Sequence, residues 1–165
     1  PPPISTLFPY TTLFRSTRGD FQFYMEGITP STARILEAVD AERVAVAAAL
    51  GIRSITAREW LYMAYDAAGK TLYDAIRNNT GYEGIFSPSI VDHRYIWEDV
   101  PMSLVPIASL GELLGVAVTT IRAVIYLASL INQTDYWACG RTTERMGLAG
   151  LTMREIRHLA LEGEI

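Results

Sequence analysis

The chain has 165 residues, of which 50% are hydrophobic and 19% are charged, and its formal net charge is −4. This composition is typical of one folded domain with a sizeable core and argues against disorder. The acidic balance gives no electrostatic footprint for DNA or RNA, so we expect no nucleic-acid partner. The longest apolar run, residues 123–131, is about half the length that a membrane span needs, so we expect no membrane partner.

The cysteine and histidine residues exclude further classes of site. Cys139 is the only cysteine, so the chain forms no internal disulfide. This usage suits a reducing cytoplasm and predicts an ordinary buried thiol. His93 and His158 lack metal-ligand spacing, so we expect no metal site. His158 lies in a charge-rich terminal segment and is predicted to be a surface or interface residue rather than a catalytic one.

The first sixteen residues differ from the rest of the chain. Residues 1–16 show no sustained helical or strand periodicity and lack the features of a secretory signal. The sequence has no initiating Met, and this segment resembles the adaptor-like sequence at the ends of proteins translated from metagenomic contigs. We therefore expect residues 1–16 to be a foreign leader and the natural sequence to begin near Thr17.

The first elements after this leader are an extended segment and a long helix. Alternating side chains at residues 21–24 predict a short strand or extended segment, which Gly27 ends. Thr29 as a cap and Pro30 in the first turn predict a helix that stops at Gly51. We expect its buried stripe to comprise Ile35, Leu36, Val39, Val44, Ala47 and Ala48. We expect its wetter face to comprise Glu37, Asp40, Glu42 and Arg43.

Capping signals place the next two helices. Thr56 begins the capping-box pattern Thr-Ala-Arg-Glu, which predicts a helix to Tyr65. Thr71 opens a shorter helix that ends near Asn79. The following residues, 80–88, are rich in Gly and Pro and predict a loop.

The second half of the chain is predicted to be helical as well. A helix over residues 104–114 tolerates Pro106 in its first turn and is closed by Gly115. A second capping-box pattern at Thr152 opens the last helix, which runs to about Glu162. These elements predict an all-α bundle of about six or seven helices, with at most a minor extended piece near the start.

The helix over residues 121–132, capped by Thr119 or Thr120, is apolar on most sides. Such a helix fits the middle of a bundle or a surface that contacts a partner, so a non-catalytic dimerisation module is one possible function. Residues 109–125 also imitate a helix-turn-helix, but the second helix offers a single Arg among apolar residues, which is unfavourable for DNA recognition.

The segment from His93 to Pro101 concentrates ionisable groups among aromatic neighbours. The guanidinium of Arg94 can bind a carboxylate bidentately, and a carboxylate such as that of Asp99 can orient a histidine that acts as an acid or base. The same residues also fit a helix end, with Arg94 paired to Glu98 at i,i+4 spacing and Asp99 as a cap ahead of Pro101. Residue types alone leave both interpretations open.

Five pieces of sequence form a longer ordered pattern. They are residues 19–30 (Gly-Asp-Phe-x-Phe-Tyr-x-Glu-Gly-x-Thr-Pro), 40–43 (Asp-x-Glu-Arg), 79–82 (Asn-x-x-Tyr), 93–101 (His-Arg-Tyr-x-x-Glu-Asp-Val-Pro) and 140–142 (Gly-Arg-Thr). With these pieces the chain resembles the helical C-terminal domain of octopine/nopaline-type opine dehydrogenases. That domain is similar to the helical domain of 6-phosphogluconate-dehydrogenase-like oxidoreductases. The resemblance covers nearly all of residues 17–165.

The resemblance implies an NAD- or NADP-dependent enzyme that reduces the imine formed between an amino acid and a 2-oxo acid. Arg94 matches the family's arginine that grips a substrate carboxylate, and His93 beside it is expected to assist substrate binding. Asp99 matches the aspartate that hydrogen-bonds the catalytic histidine, and is the expected catalytic residue here.

Two parts of the family's machinery are not found in this sequence. The cofactor is bound by an upstream Rossmann domain, and the catalytic histidine lies just ahead of the segment that matches Gly19. This chain has no histidine there and no Gly-x-Gly-x-x-Gly fingerprint, so no cofactor-binding residue is predicted on it. We expect a cytoplasmic fragment that is inactive alone and that could form a homodimer.

Overall fold

The structure is a computed structural model that describes residues 19–163. The expected leader, residues 1–16, lies outside the described residues. Over the described range the backbone is helical and contains no strand, only an isolated antiparallel bridge between Gln22 and Phe86. The all-α prediction is therefore confirmed.

The helices are α1 (Pro30–Ala49), α2 (Ala57–Tyr65), α3 (Leu72–Arg77), α4 (Arg94–Trp97), α5 (Val105–Leu113), α6 (Thr119–Asn132), α7 (Tyr136–Cys139) and α8 (Met153–Glu162). A 3₁₀ turn, Thr80–Tyr82, follows α3, and a π-helix, Val100–Leu104, lies between α4 and α5. Helices α4 and α7 are single turns, so residues 19–163 contain six longer helices, within the predicted number.

The chain divides into two compact units. The first unit comprises the described residues up to Arg34 together with residues 58–93. The second unit comprises Ile35–Ala57 and the residues from Arg94 onward. The second unit contains the acidic and basic cluster that the sequence singles out.

Several predicted helix ends are confirmed by local geometry. Helix α1 begins at Pro30, and Gly51 just beyond its end has a φ of +70°, a left-handed conformation that favours glycine. The hydroxyl of Thr71 accepts a hydrogen bond from the N–H of Asp74 at 3.1 Å, which caps α3. Helix α8 begins with the predicted capping box, in which Thr152 and Glu155 exchange hydrogen bonds.

The short strand or extended segment predicted at residues 21–24 is present only as an isolated bridge at Gln22. The carbonyl of Gln22 accepts hydrogen bonds from the N–H groups of Glu26 (2.9 Å) and Gly27 (3.1 Å), which fold this segment into a turn. Only one bridge, to Phe86, remains of the expected extended pairing. The alternation of apolar side chains did not reveal this turn. Two backbone hydrogen bonds still join the segment to residues 85–87, from the N–H of Phe23 to the carbonyl of Ile85 (2.8 Å) and from the N–H of Ser87 to the carbonyl of Phe21 (2.9 Å).

The hydrophobic core of the second unit joins the π-helix to its neighbours. Its buried members are Val46, Val100, Val105, Ala108, Val118, Ile121, Ile125, Ala128 and Tyr136. Helix α5 packs closely against Val118 and Val46 at Gly111. A Cβ added to this glycine would overlap the side chain of Val118 and lie 3.1 Å from that of Val46. Because Val100 belongs to this core, packing fixes the π-helix on one side.

The predicted faces of α1 are only partly correct. Val39 packs against the core of the second unit, but Ile35 and Leu36 are 53% and 37% exposed. On the face expected to be wet, the carboxylate of Asp40 accepts hydrogen bonds from Arg43 (2.7 Å) and from the N–H of Ala57 (2.7 Å). The polar residues here are half-buried because they bond to the following segment.

Helix α6 is capped from another helix. Neither Thr119 nor Thr120 supplies the predicted cap, since both lie inside the helix. Instead the carboxylate of Glu42, on α1, accepts hydrogen bonds from the N–H of Thr120 (2.7 Å) and of Ile121 (2.9 Å). A negative charge at this position also interacts favourably with the helix dipole.

We expect Glu42→Ala to destabilise the chain by about 1–2 kcal/mol, because two N–H groups at the start of α6 lose their acceptor. Glu42→Gln, which keeps one acceptor and loses the charge, should cost less. Urea denaturation of the 165-residue chain measures both. Glu83→Ala, at an exposed carboxylate, is the matched control. Equal midpoints for Glu42→Ala and the control would contradict this account.

Cys139 is exposed, so the prediction of a buried thiol is wrong. It is the last residue of the single-turn α7, where the chain leaves the helix. His158 is exposed on α8, as predicted. Among the helices of residues 19–163, none is both long enough and apolar enough to cross a membrane.

Candidate active site

The cluster predicted around Arg94 lies on α4 and the start of the π-helix, in the second unit. The guanidinium of Arg94 contacts the carboxylate of Glu98 through Nε and Nη2, each at 2.9 Å. The two side chains are 62% and 46% exposed. The i,i+4 pair that the spacing allowed is thus present, and it lies on the surface.

Asp99 directly precedes the π-helix, and its side chain makes no capping hydrogen bond. The capping role that the spacing also allowed is therefore not adopted. Asp99 is exposed, and its carboxylate forms no ion pair or hydrogen bond with any residue in the described part of the chain. This carboxylate is available to a ligand or to another protein segment.

The π-helix holds the backbone at Asp99 in place. The N–H of Val105 donates to the carbonyl of Val100, five residues earlier, which is the hydrogen bond of a π-helix. Val100 and Pro101 are buried, so the exposed Asp99 is followed directly by two anchored residues. Single π-helical turns often occur at functional sites. Sequence patterns did not reveal this π-helical turn, because a π-helix is defined by the spacing of its hydrogen bonds and not by residue type.

The carbonyl of Pro101 is bonded from a distant loop. The N–H of Val105 donates to the carbonyl of Val100, and the next residue, Pro106, has no N–H to donate. The N–H of Arg141 takes this place and donates to the Pro101 carbonyl at 3.0 Å. This hydrogen bond fixes the segment around Arg141 beside Pro101, which is two residues after Asp99 in the sequence.

His93 belongs to the first unit and is half-buried. The backbone N–H of His93 donates to the carbonyl of Val91 at 2.8 Å. Its expected contribution to substrate binding stays a prediction.

The first unit contains an aromatic cluster that sequence patterns did not predict. The rings of Tyr24 and Tyr82 stack with centroids 3.9 Å apart, and Tyr65 lies 6.0 Å from Tyr82. Burial raises the pKa of Tyr82, the nearby Tyr24 and Tyr65 add to this rise, and Asn79 opposes it. Residues 79–82 stood out only in the longer pattern, since spacing alone does not indicate ring stacking.

Asn79, at the base of this cluster, is only 1% exposed. Its side-chain oxygen accepts a hydrogen bond from the N–H of Gly81 at 3.1 Å. Its amide nitrogen makes no hydrogen bond of good geometry to another described residue.

Helix α6 buries one face and exposes the other. Its exposed apolar side chains are Tyr126, Leu127, Leu130 and Ile131. The guanidinium of Arg122 lies 3.4 Å from the carboxylate of Glu112 and 3.7 Å from the ring centroid of Trp137. An apolar outer face with its one cation engaged does not favour the helix-turn-helix interpretation, which needs basic side chains directed at phosphates.

Sequence comparison identifies relatives of this chain. The family of the NAD/NADP octopine/nopaline dehydrogenase alpha-helical domain matches residues 3–132. An opine dehydrogenase of Arthrobacter sp. (strain 1C) is 40% identical over 157 residues, which cover 93% of this chain and 44% of that protein. A vitopine synthase of Allorhizobium ampelinum is 30% identical over 129 residues, covering 78% and 36% respectively. The chain thus spans less than half the length of these relatives.

Structural comparison gives the same fold. A structure of octopine dehydrogenase with NADH and L-arginine matches 88% of this chain and 42% of its own chain, with a TM-score of 0.69 and 24% identity. A structure of octopine dehydrogenase in complex with NADH and agmatine matches 93% and 46%, with a TM-score of 0.70 and 22% identity. These likenesses establish the helical fold, and the sequence match establishes the relationship. The chain belongs to the family of NAD/NADP octopine/nopaline dehydrogenase alpha-helical domains.

Proposed function

We propose that this chain is the substrate-binding and catalytic helical domain of an NAD(P)-dependent opine dehydrogenase. The proposed reaction reduces the imine formed between an amino acid and a 2-oxo acid. Membership of the family supports the reaction class. The observation that carries the assignment of the site is the exposed carboxylate of Asp99, which is fixed by buried neighbours and has no partner within residues 19–163.

Asp99 is proposed to hydrogen-bond the imidazole of a catalytic histidine. An ionised carboxylate orients the ring and favours its protonated form, so that the imidazolium can donate the proton that the imine nitrogen gains as hydride adds to the carbon. In this chain no histidine precedes Asp99 other than His93, which occupies a different position of the family pattern. We therefore place the catalytic histidine on a part of a longer protein.

Arg94 is proposed to bind a substrate carboxylate. Its present partner, Glu98, forms an exposed ion pair with it, and such pairs contribute only about 0–1 kcal/mol. A substrate carboxylate can therefore replace Glu98 at little cost. The planar guanidinium then donates two parallel hydrogen bonds to the substrate.

We propose that this chain does not itself hold the pyrophosphate of the cofactor. Its sequence has no Gly-x-Gly-x-x-Gly turn to hold a pyrophosphate at the start of a helix. We propose that residues 17–165 form the helical domain of a longer cytoplasmic protein whose upstream domain binds NAD or NADP. Arg94 and Asp99 are proposed to act only on the substrate and on the proton.

A second candidate function is a dimerisation module. The four exposed apolar side chains of α6 favour it, because a row of this kind on one helix is a common feature of subunit interfaces. This function is compatible with catalysis, since it requires neither Arg94 nor Asp99.

The test of the proposed function extends the reading frame upstream and assays the longer protein for NADH or NADPH oxidation. We expect oxidation only when an amino acid and a 2-oxo acid are both present. The 165-residue chain alone is expected to bind neither cofactor in a calorimetric titration. Oxidation with a 2-oxo acid alone, or the absence of an upstream dinucleotide fingerprint, would contradict the proposal.

A further inference from the structure

Arg141 presents an uncommitted cation on the second unit. It is exposed, while Gly140 and Thr142 on either side of it are buried, so its side chain points away from the body of the loop. Its guanidinium forms no ion pair or hydrogen bond with any residue between 19 and 163. Four other arginines of this unit are engaged: Arg43 with Asp40, Arg94 with Glu98, Arg122 with Glu112, and Arg157 with backbone carbonyls. Arg53 and Arg154, like Arg141, are exposed and make no such contact within residues 19–163.

The loop that carries Arg141 is tightly built. At Gly140, an added Cβ would lie 2.6 Å from the carbonyl oxygen of Tyr136 and 2.8 Å from Cγ1 of Val105, so no larger residue fits. On the other side, the hydroxyl of Ser109 accepts a hydrogen bond from the N–H of Thr143 at 2.8 Å and lies 2.9 Å from its hydroxyl. Both residues are buried, which makes this polar contact a firm anchor.

The anchored loop is attached directly to the Asp99 segment. The hydrogen bond from the N–H of Arg141 to the carbonyl of Pro101 places the Arg141 backbone beside the first turn of the π-helix. Asp99 is two residues before Pro101, and Arg94 is on the preceding single-turn helix. The nearest acidic residue in sequence, Glu144, does not pair with Arg141; the Thr142 hydroxyl instead lowers the pKa of the Glu144 carboxyl.

We propose that Arg141 is a second substrate-binding residue, which binds the carboxylate that Arg94 does not. This inference rests on the proposed function, because that reaction joins two carboxylic acids. The imine and its reduced product carry two carboxylates, one on each carbon that flanks the nitrogen. One guanidinium can bind one of them bidentately, so the dianion needs a second cation. Arg141 supplies it from a rigid loop whose backbone is bonded to the carbonyl of Pro101, two residues after Asp99.

The test measures steady-state kinetics of the longer enzyme with Arg141→Gln, which removes the charge and retains a polar side chain. We expect KM for one of the two substrates to rise by about 10-fold to 100-fold, as for the loss of a bidentate charged hydrogen bond, with kcat changed little. Arg94→Ala should raise KM for the other substrate. Arg141→Lys should recover part of the lost affinity, because it restores the charge without the fork.

A second measurement separates binding from stability. The melting temperature of Arg141→Gln should equal that of the wild type, because its guanidinium has no partner within residues 19–163. Arg154→Gln, at an exposed cation of α8, is the matched control and should leave both KM values unchanged. If the wild type is active but Arg141→Gln alters neither KM, or alters the same one as Arg94→Ala, this inference alone is overturned. If the wild type shows no oxidation that depends on both substrates, the proposed function fails and this inference with it.

Discussion

Replacing Asp99 by Asn in the longer enzyme is expected to lower kcat by about 10²-fold or more, with little change in KM for either substrate. The amide has the shape of the carboxylate but cannot stabilise an imidazolium by charge. The carboxylate acts on the proton-donating histidine and contacts neither substrate, so its loss appears in kcat rather than in KM. Steady-state kinetics with both substrates varied provides the measurement.

The structure makes this substitution a clean test. Asp99 is exposed and makes no capping hydrogen bond, so Asp99→Asn should leave the melting temperature unchanged. Asp92→Asn, an equivalent change at another exposed aspartate, is the matched control for the loss of one negative charge. An Asp99→Asn enzyme with normal kcat would refute the catalytic role. A variant that merely unfolds would show the residue to be structural.

Replacing Arg94 by Ala is expected to raise KM for one substrate by about 10-fold to 10³-fold. A bidentate guanidinium–carboxylate contact comprises charge-assisted hydrogen bonds of about 1.5–3 kcal/mol each, which hold the ground state as well as the transition state. The affinity of the bound substrate therefore falls, while kcat changes less than in Asp99→Asn. The second substrate should keep its KM.

Glu98→Ala distinguishes a substrate-binding arginine from a purely structural ion pair. This variant breaks the same 2.9 Å contact but keeps the guanidinium. Because the pair is exposed, each variant should cost no more than about 1 kcal/mol of folding free energy. Glu98→Ala should leave KM unchanged or lower it, since Arg94 becomes free. Equal kinetic effects of Arg94→Ala and Glu98→Ala would mean that the pair matters only for the helix.

Much of the secondary structure was predictable because its signals are local. Thr71 and Thr152 cap their helices with side chains that reach only three residues ahead. Pro30 fits a first helical turn wherever that turn is placed, and Gly51 adopts a conformation that favours glycine. Where backbone bonds depend on a competing turn, as at Gln22, local alternation of side chains gave the wrong result.

The candidate site was predictable in its residues but not in its geometry. The charged cluster and its i,i+4 spacing are visible in the sequence, and the Arg94–Glu98 pair follows from that spacing. The π-helix after Asp99 depends on which preceding carbonyl accepts the N–H of Val105, and on Pro106, which has no N–H to donate. Residue types do not specify this hydrogen-bond pattern. The roles of His93, Arg94 and Asp99 toward a substrate remain predictions.

The sequence by itself determined the all-α class, most helix ends and the family, because caps, breakers and an ordered motif pattern require no knowledge of distant contacts. Tertiary structure decided which faces are covered and which distant groups meet. The carboxylate of Glu42 caps α6 from 78 residues away, and the N–H of Arg141 satisfies the carbonyl of Pro101. Ile35 and Leu36 stay exposed although they are apolar, because the burial of a helix face depends on what packs against it.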